Sequence, residues 1–279
     1  MAVQNIKSVL IGFSREDNTP SHALSYGLSL AQQAGAHATL DALAPEMTVT
    51  HAFISDVAAG LVAAENKRLR DIAEAAVEQA RQDANAAGVP CAAEVVQDHY
   101  SILTMLFSKR ARVHDVVVFD AQPDALSLSR GILEETLFSS GRPTLIVPQG
   151  VSSFRADKIV VAWDGSSRAT RAVNDALPFL KAAKAVEIVC VSGEKDLSRS
   201  VPGAELAPHL TRHGVNCTVK ELVAKDGDAG STLRSQAGLF GADLLVRGAF
   251  VHSRLRQLVL GGVTQSMLKS CQVPLLLSY

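Results

Sequence analysis

Aromatic side chains are scarce in this chain, 5% of its 279 residues with a single tryptophan, and neither sign of charge is in excess. So few aromatics leave little from which to build a stacking platform for single-stranded bases. A formal net charge of −1 gives no basic surface for a general polyanion. Cysteine is rare too. Cys91, Cys190, Cys217 and Cys271 are scattered without a C-x-x-C pair. That spacing fits free thiols in a reducing cytoplasm, with Cys190 and Cys271 expected to be buried, rather than a disulfide framework. No run of about 18 apolar residues is present to span a bilayer. The stretch from Met1 to Gly12 enters a strand-like run at once, so no signal peptide is expected.

Several enzyme signatures are missing as well. No G-x-G-x-x-G opens the first helix of either half, which argues against a dinucleotide oxidoreductase. There is no G-x-x-x-x-G-K-[ST] loop and no G-x-S-x-G elbow. The histidines are dispersed. His209 and His213 stand four apart, but no third ligand is evident, so they read as a solvated pair and no metal site is expected. No paired carboxylates and no nucleophile–base set stand out, so no catalytic residue is named.

What the chain does contain is itself, twice. Ser8-Val-Leu-Ile-Gly-Phe-Ser14 matches Lys158-Ile-Val-Val-Ala-Trp-Asp164, and Asp115-Val-Val-Val-Phe119 matches Asp243-Leu-Leu-Val-Arg247. Gly88-Val-Pro-Cys91 matches Gly214-Val-Asn-Cys217, and Arg142 to Val147 matches Val273 to Ser278. Four matches in one order predict two similar halves, 1–150 and 151–279, joined by the turn-rich stretch Pro148 to Ser153. Each half alternates short apolar runs with helical periods. The first half reads as strands near 6–13, 37–43, 92–97, 115–119 and 144–148 with helices near 20–35, 61–87, 100–112 and 130–140. The second reads as strands near 158–163, 186–191, 216–222, 243–247 and 274–278, with a short second helix over Ala204 to His213. Short apolar strands between helices imply a parallel sheet covered on both faces, an open doubly wound α/β unit in each half. Ligands of such sheets sit at the carboxyl ends of the strands, where strand order reverses.

Two strand ends in the second half carry unusual residues. One is Trp163-Asp164-Gly165-Ser166. The other is Gly248-Ala-Phe-Val251, then nine residues, then Gly261-Gly262-Val263-Thr264 at the start of a helix-like run to Ser270. A strand ending in glycine, a basic loop and a Gly-Gly helix start can cradle a phosphate. The first amides of a helix are unpaired, and glycine lets them approach.

At these residues the chain resembles the universal stress protein family in its tandem form. The resemblance implies two doubly wound, adenine nucleotide alpha hydrolase-like (Rossmann-like) domains related by a pseudo-twofold axis, with the fifth strands pairing antiparallel across it. It implies a stress-response regulatory protein of the cytoplasm that takes ATP or AMP, with Mg, in the C-terminal domain, and an intrachain pair in place of a dimer, with a further homodimer left open. The family's motif is G-x-x-G, nine residues, then G followed by Ser or Thr. Gly248 and Gly261 match it, whereas Val251 replaces the second glycine and Gly262 the hydroxyl residue. Thr264 is an alternative hydroxyl, and His252, Arg254 and Arg256 lie in the loop. By the same resemblance Asp164, flanked by Trp163, Gly165 and Ser166, faces the nucleoside, and Val191 offers its backbone to the base. Helix capping by Asp164 or Ser166, and plain core for Val191, are the readings from the residues alone. The two departures predict weakened binding or a preference for fewer phosphates. The first half has lost the motif: Ser14 stands in place of Asp164, Asp120 in place of Gly248, and Arg130-Gly131 in place of Gly261-Gly262 with a loop three residues shorter. Three functions remain open: a nucleotide-binding regulator, a scaffold that binds none, and at most a slow ATP hydrolase.

Overall fold

The computed structural model describes residues 3–14, 21–48, 56–121, 127–193, 203–249, 262–270 and 272–279. Its elements run β1 (Ser8–Phe13), α1 (His22–Ala34), β2 (His37–Glu46), α2 (Asp56–Ala86), β3 (Cys91–His99), α3 (Tyr100–Ala111), β4 (Val116–Asp120), α4 (Leu128–Ser139) and β5 (Thr144–Val147). The order then repeats: β6 (Lys158–Ala162), α5 (Ser167–Ala182), β7 (Ala185–Ser192), α6 (Gly203–Arg212), β8 (Cys217–Val223), α7 (Ala229–Phe240), β9 (Leu244–Gly248), α8 (Gly262–Ser270) and β10 (Leu275–Ser278).

All ten strands form one sheet, in the order β3-β2-β1-β4-β5-β10-β9-β6-β7-β8. Read outward from the middle, each set of five has the same arrangement. Pairing is parallel throughout except at the centre, where β5 and β10 run antiparallel with Leu276 opposite Leu145. The central strands read as near-continuous Val, Ile and Leu because both of their faces are covered. One face carries α1, α2, α5 and α6, and the other α3, α4, α7 and α8. Strand order reverses between β1 and β4 and again between β6 and β9, so each half opens a crevice there.

Local chemistry sets the helix ends. The Ser21 hydroxyl accepts from the Leu24 amide to start α1, and Gly35 in the left-handed region ends it. Ser166 plays the same part for α5, accepting from the Ala169 amide. The connection between the halves is pinned rather than loose. Phe154 is buried, packs edge-on against Tyr26 of α1 and tilted against Phe179 of α5, and bonds Ser29 and Gln33 through its backbone.

Two boundaries differ from the sequence reading. β2 continues to Glu46 and α2 begins at Asp56. Beyond Ala42 the strand has outrun β1, so it is paired on the β3 side only, and Pro45 with its missing N–H is tolerated there. The extra length is held by a side chain: Asn66 of α2 accepts from the Met47 amide and donates to the Met47 carbonyl, both at 2.9 Å. Cys190, expected to be buried, is half-buried, with its thiol pushed up mainly by desolvation; Cys271 lies outside the described residues. Among the described residues no helix is long and apolar enough to cross a membrane.

Candidate functional site

β6 lies between β9 and β7, so the carboxyl ends of the three strands meet at one crevice. The turn after β6 supplies four of the residues singled out from the sequence. Trp163 is buried and its amide donates to the Val189 carbonyl at 2.9 Å, which ties the turn to β7. Asp164 is half-buried and its Oδ1 accepts from the Ser166 amide at 3.1 Å. Gly165 has φ of 68°, a conformation that an L side chain rarely adopts, and Ser166 caps α5. The capping reading of this turn is therefore realised by Ser166, with Asp164 bracing it from two residues before. A carboxylate beside the N-terminus of α5 is also stabilised by the helix dipole.

Gly248 closes β9 against that same helix end. A Cβ on it would lie 2.6 Å from the Arg168 carbonyl carbon and 2.7 Å from the Ala169 nitrogen. Here the glycine is demanded by the close approach of α5, independently of any ligand. Beside it, Arg247 is almost fully buried and its Nε donates to the Gly248 carbonyl at 3.2 Å. It occupies the position that Phe119 holds in β4, so a cation stands in the second half where the first has a ring. Sequence reading marked Arg247-Gly248 as an unusual strand end but gave Arg247 no role, although an arginine in an apolar strand is itself a signal.

Val191 is half-buried near the end of β7, in register with Leu222 of β8. Gly262, Val263 and Thr264 form the first turn of α8, and Thr264 is fully buried. Val251, His252, Arg254 and Gly261 lie outside the described residues, as does Arg256. The structure thus brings together the β6–α5 turn and Gly248. Arg168, on the first turn of α5, adds a contact that the sequence did not suggest. Its guanidinium lies over the Tyr279 ring, 4.8 Å from the centroid, and Tyr279 meets Phe138 of α4 edge-on, so this corner of the crevice touches the first half.

The corresponding place in the first half is occupied by a carboxylate. Asp120 Oδ2 accepts from the Ser21 hydroxyl at 2.6 Å and Oδ1 from the Ala23 amide at 2.8 Å, so it caps α1. Arg130 is buried and its Nε bonds Glu134. His209 and His213 have their rings 4.8 Å apart, and no cluster of three or more potential metal ligands occurs among the described residues.

Residues 155–278 match the model of the universal stress protein family. Over this stretch, a little under half of the chain, the sequence is similar to the universal stress protein family. Two solved structures cover nearly the whole chain. A universal stress protein from Archaeoglobus fulgidus aligns over 97% of this chain and 95% of its own, with 16% identity and a TM-score of 0.70. A functionally unknown protein from Pseudomonas aeruginosa aligns over 98% and 92%, with 15% identity and a TM-score of 0.57. At these identities the likeness is one of fold, the mostly parallel α/β sheet of universal stress proteins. No curated protein matches the chain.

Proposed function

We propose that the chain is a regulatory module of two universal stress protein-like units, residues 1–150 and 151–279, and that the second binds one adenine nucleotide, ATP or AMP with Mg. The observation that carries this reading is the crevice at β6, β7 and β9. There a half-buried carboxylate, a turn in the left-handed region and the capped start of α5 meet at the carboxyl end of β9. The residues present fit such a ligand: Asp164 can accept from the ribose hydroxyls, the Val191 backbone can meet the base, and the first amides of α8 can receive phosphate oxygens. Trp163, Gly165 and Ser166 hold Asp164 in place. Val251, His252, Arg254 and Gly261 complete the phosphate side in this reading, with Gly262, Val263 and Thr264 at the helix start. The nucleotide adds charge and a phosphate chain that the regulator senses. The first unit is its structural partner, and the compartment is the cytoplasm.

The test is calorimetric titration of nucleotide-stripped protein with ATP and with AMP, magnesium present. Binding at one site per chain is expected. Asp164→Ala should weaken it at least tenfold, because a hydrogen bond to a charged group contributes about 1.5–3 kcal/mol. No saturation by either nucleotide in folded protein would leave the scaffold reading in its place.

A further inference from the structure

The crevice of the first half, at the carboxyl ends of β1 and β2, is a formed cavity of about 230 Å³. Its apolar walls come from three elements. β2 contributes Leu43, Ala44 and Pro45, with Met47 just beyond its end, α2 contributes Leu69 and Ala73, and α4 contributes Ile132. The polar groups are few: Ser14 after β1 and Ser129 of α4, whose hydroxyls lie 3.0 Å apart, and a Glu65–Arg68 ion pair. A mainly apolar cleft with a few convergent polar groups is the usual form of a small-molecule site.

Three further observations define what fits. The wall is preorganised, because Asn66 clamps both backbone groups of Met47, and Gln97 of β3 donates to the Asn66 carbonyl at 3.1 Å while accepting from Arg70. Among the described residues the charges nearby are already paired. Arg68 is paired with Glu65, Arg130 with Glu134, and Asp120 with the start of α1. A separate pocket of about 10 Å³ shares Ser14, Leu43 and Ser129 with the cavity and is also lined by Asp120, with room for one water and no more. Among the described residues, a phosphate entering there would meet a carboxylate with no cation left over to offset it. The size, below the roughly 300–1,000 Å³ typical of drug-sized ligands, suits a two-ring molecule. In the Ser14–Ser129 pair one hydroxyl donates to the other, which leaves one O–H and spare lone pairs for a guest.

We propose that this first-half crevice is a binding site for a small, uncharged, mainly apolar molecule whose single hydroxyl or carbonyl meets Ser14 and Ser129. It stands apart from the nucleotide reading of the second half, and the failure of either leaves the other intact.

The experiment titrates the full chain with 2-naphthol and, separately, with naphthalene-2-sulfonate, followed by the fluorescence of the probe. Saturable binding of 2-naphthol at one site is expected, with the sulfonate at least tenfold weaker and excess ATP without effect. Ser129→Leu fills the cleft from α4 and should weaken 2-naphthol at least tenfold. Leu69→Trp fills it from the half-exposed side of α2 and should do the same, and it serves if the first variant does not fold. Absence of saturation in folded native protein, equal affinity for the sulfonate, unchanged affinity in a folded filling variant, or displacement by ATP would each overturn the proposal.

Discussion

Asp41 shows how one residue can hold a strand and a helix in tension. It sits in the middle of β2 with no exposed surface, and neither carboxylate oxygen has a hydrogen-bond partner. Arg110 of α3 brings Nε to 3.2 Å of Oδ2, an ion-pair contact without hydrogen-bond geometry, and the same guanidinium also pairs with Glu94 of β3. Desolvation pushes the Asp41 carboxyl up to about 7, with Arg110 opposing the shift and Glu94 adding to it. The folded chain therefore keeps a proton that the unfolded chain releases near pH 4. Stability falls as pH rises from about 4 to about 7 and is then level as far as this group is concerned. Asp41→Asn removes that slope and leaves Arg110 with Glu94 as partner. At pH 8 the variant should be more stable than the parent by up to about 4 kcal/mol, at roughly 1.4 kcal/mol for each pH unit of the shift, and near pH 4 the two should coincide. Urea unfolding at pH 4, 6 and 8 measures this, and an equal gap at all three would show that Asp41 does not titrate in the window.

Between elements, the contact that shapes the candidate site is the one between the start of α5 and the end of β9. Gly248 has backbone, not a mobile side chain, where its Cβ would go, so Gly248→Ala must push α5 away or twist β9. A loss of about 1–3 kcal/mol, the usual cost of overpacking, is expected in urea unfolding, with weaker nucleotide binding as α5 shifts. A variant as stable as the parent would show that the helix gives way freely. In the first half the same junction is solved by opposite chemistry, with the Asp120 carboxylate standing between β4 and α1 and taking two hydrogen bonds. Sequence alone identified the exchange of glycine for aspartate and read it as loss of a phosphate cradle, but not as a helix cap. A cap of this kind is long-range, joining residues about a hundred positions apart. Periodicity placed the strands and helices because apolar burial repeats along the chain. It missed the end of β2, which depends on one Asn66 side chain, and the packing of Arg168 on Tyr279, which depends on how the last strand docks. The nucleotide loop was the most legible feature of the sequence, and part of it lies outside the described residues.

Across the whole molecule, two similar five-strand sets share one sheet through a narrow joint. β5 and β10 meet over only three residue pairs, Thr144 with Leu277, Leu145 with Leu276 and Ile146 with Leu275. Two supports flank that joint. Arg171 of α5 donates to the Gly141 carbonyl ahead of β5, and Phe154 stands between Tyr26 and Phe179. Phe154 is the apolar member of this joint and is 3% exposed, so Phe154→Ala should cost about 3–5 kcal/mol, the usual loss for truncating a buried phenylalanine. The loss falls on the union of the halves rather than on either core, because each set of strands buries helices of its own on both faces. In the native chain, unfolding by urea should therefore give one transition, seen alike by Trp163 fluorescence in the second half and by hydrogen exchange of β1 and β4 in the first. In Phe154→Ala the two probes should separate, with the half that has the smaller stability of its own unfolding at lower urea. Coincident transitions at a lower midpoint would mean instead that the three β5–β10 pairs and the contacts of α5 suffice to make the ten strands one cooperative unit.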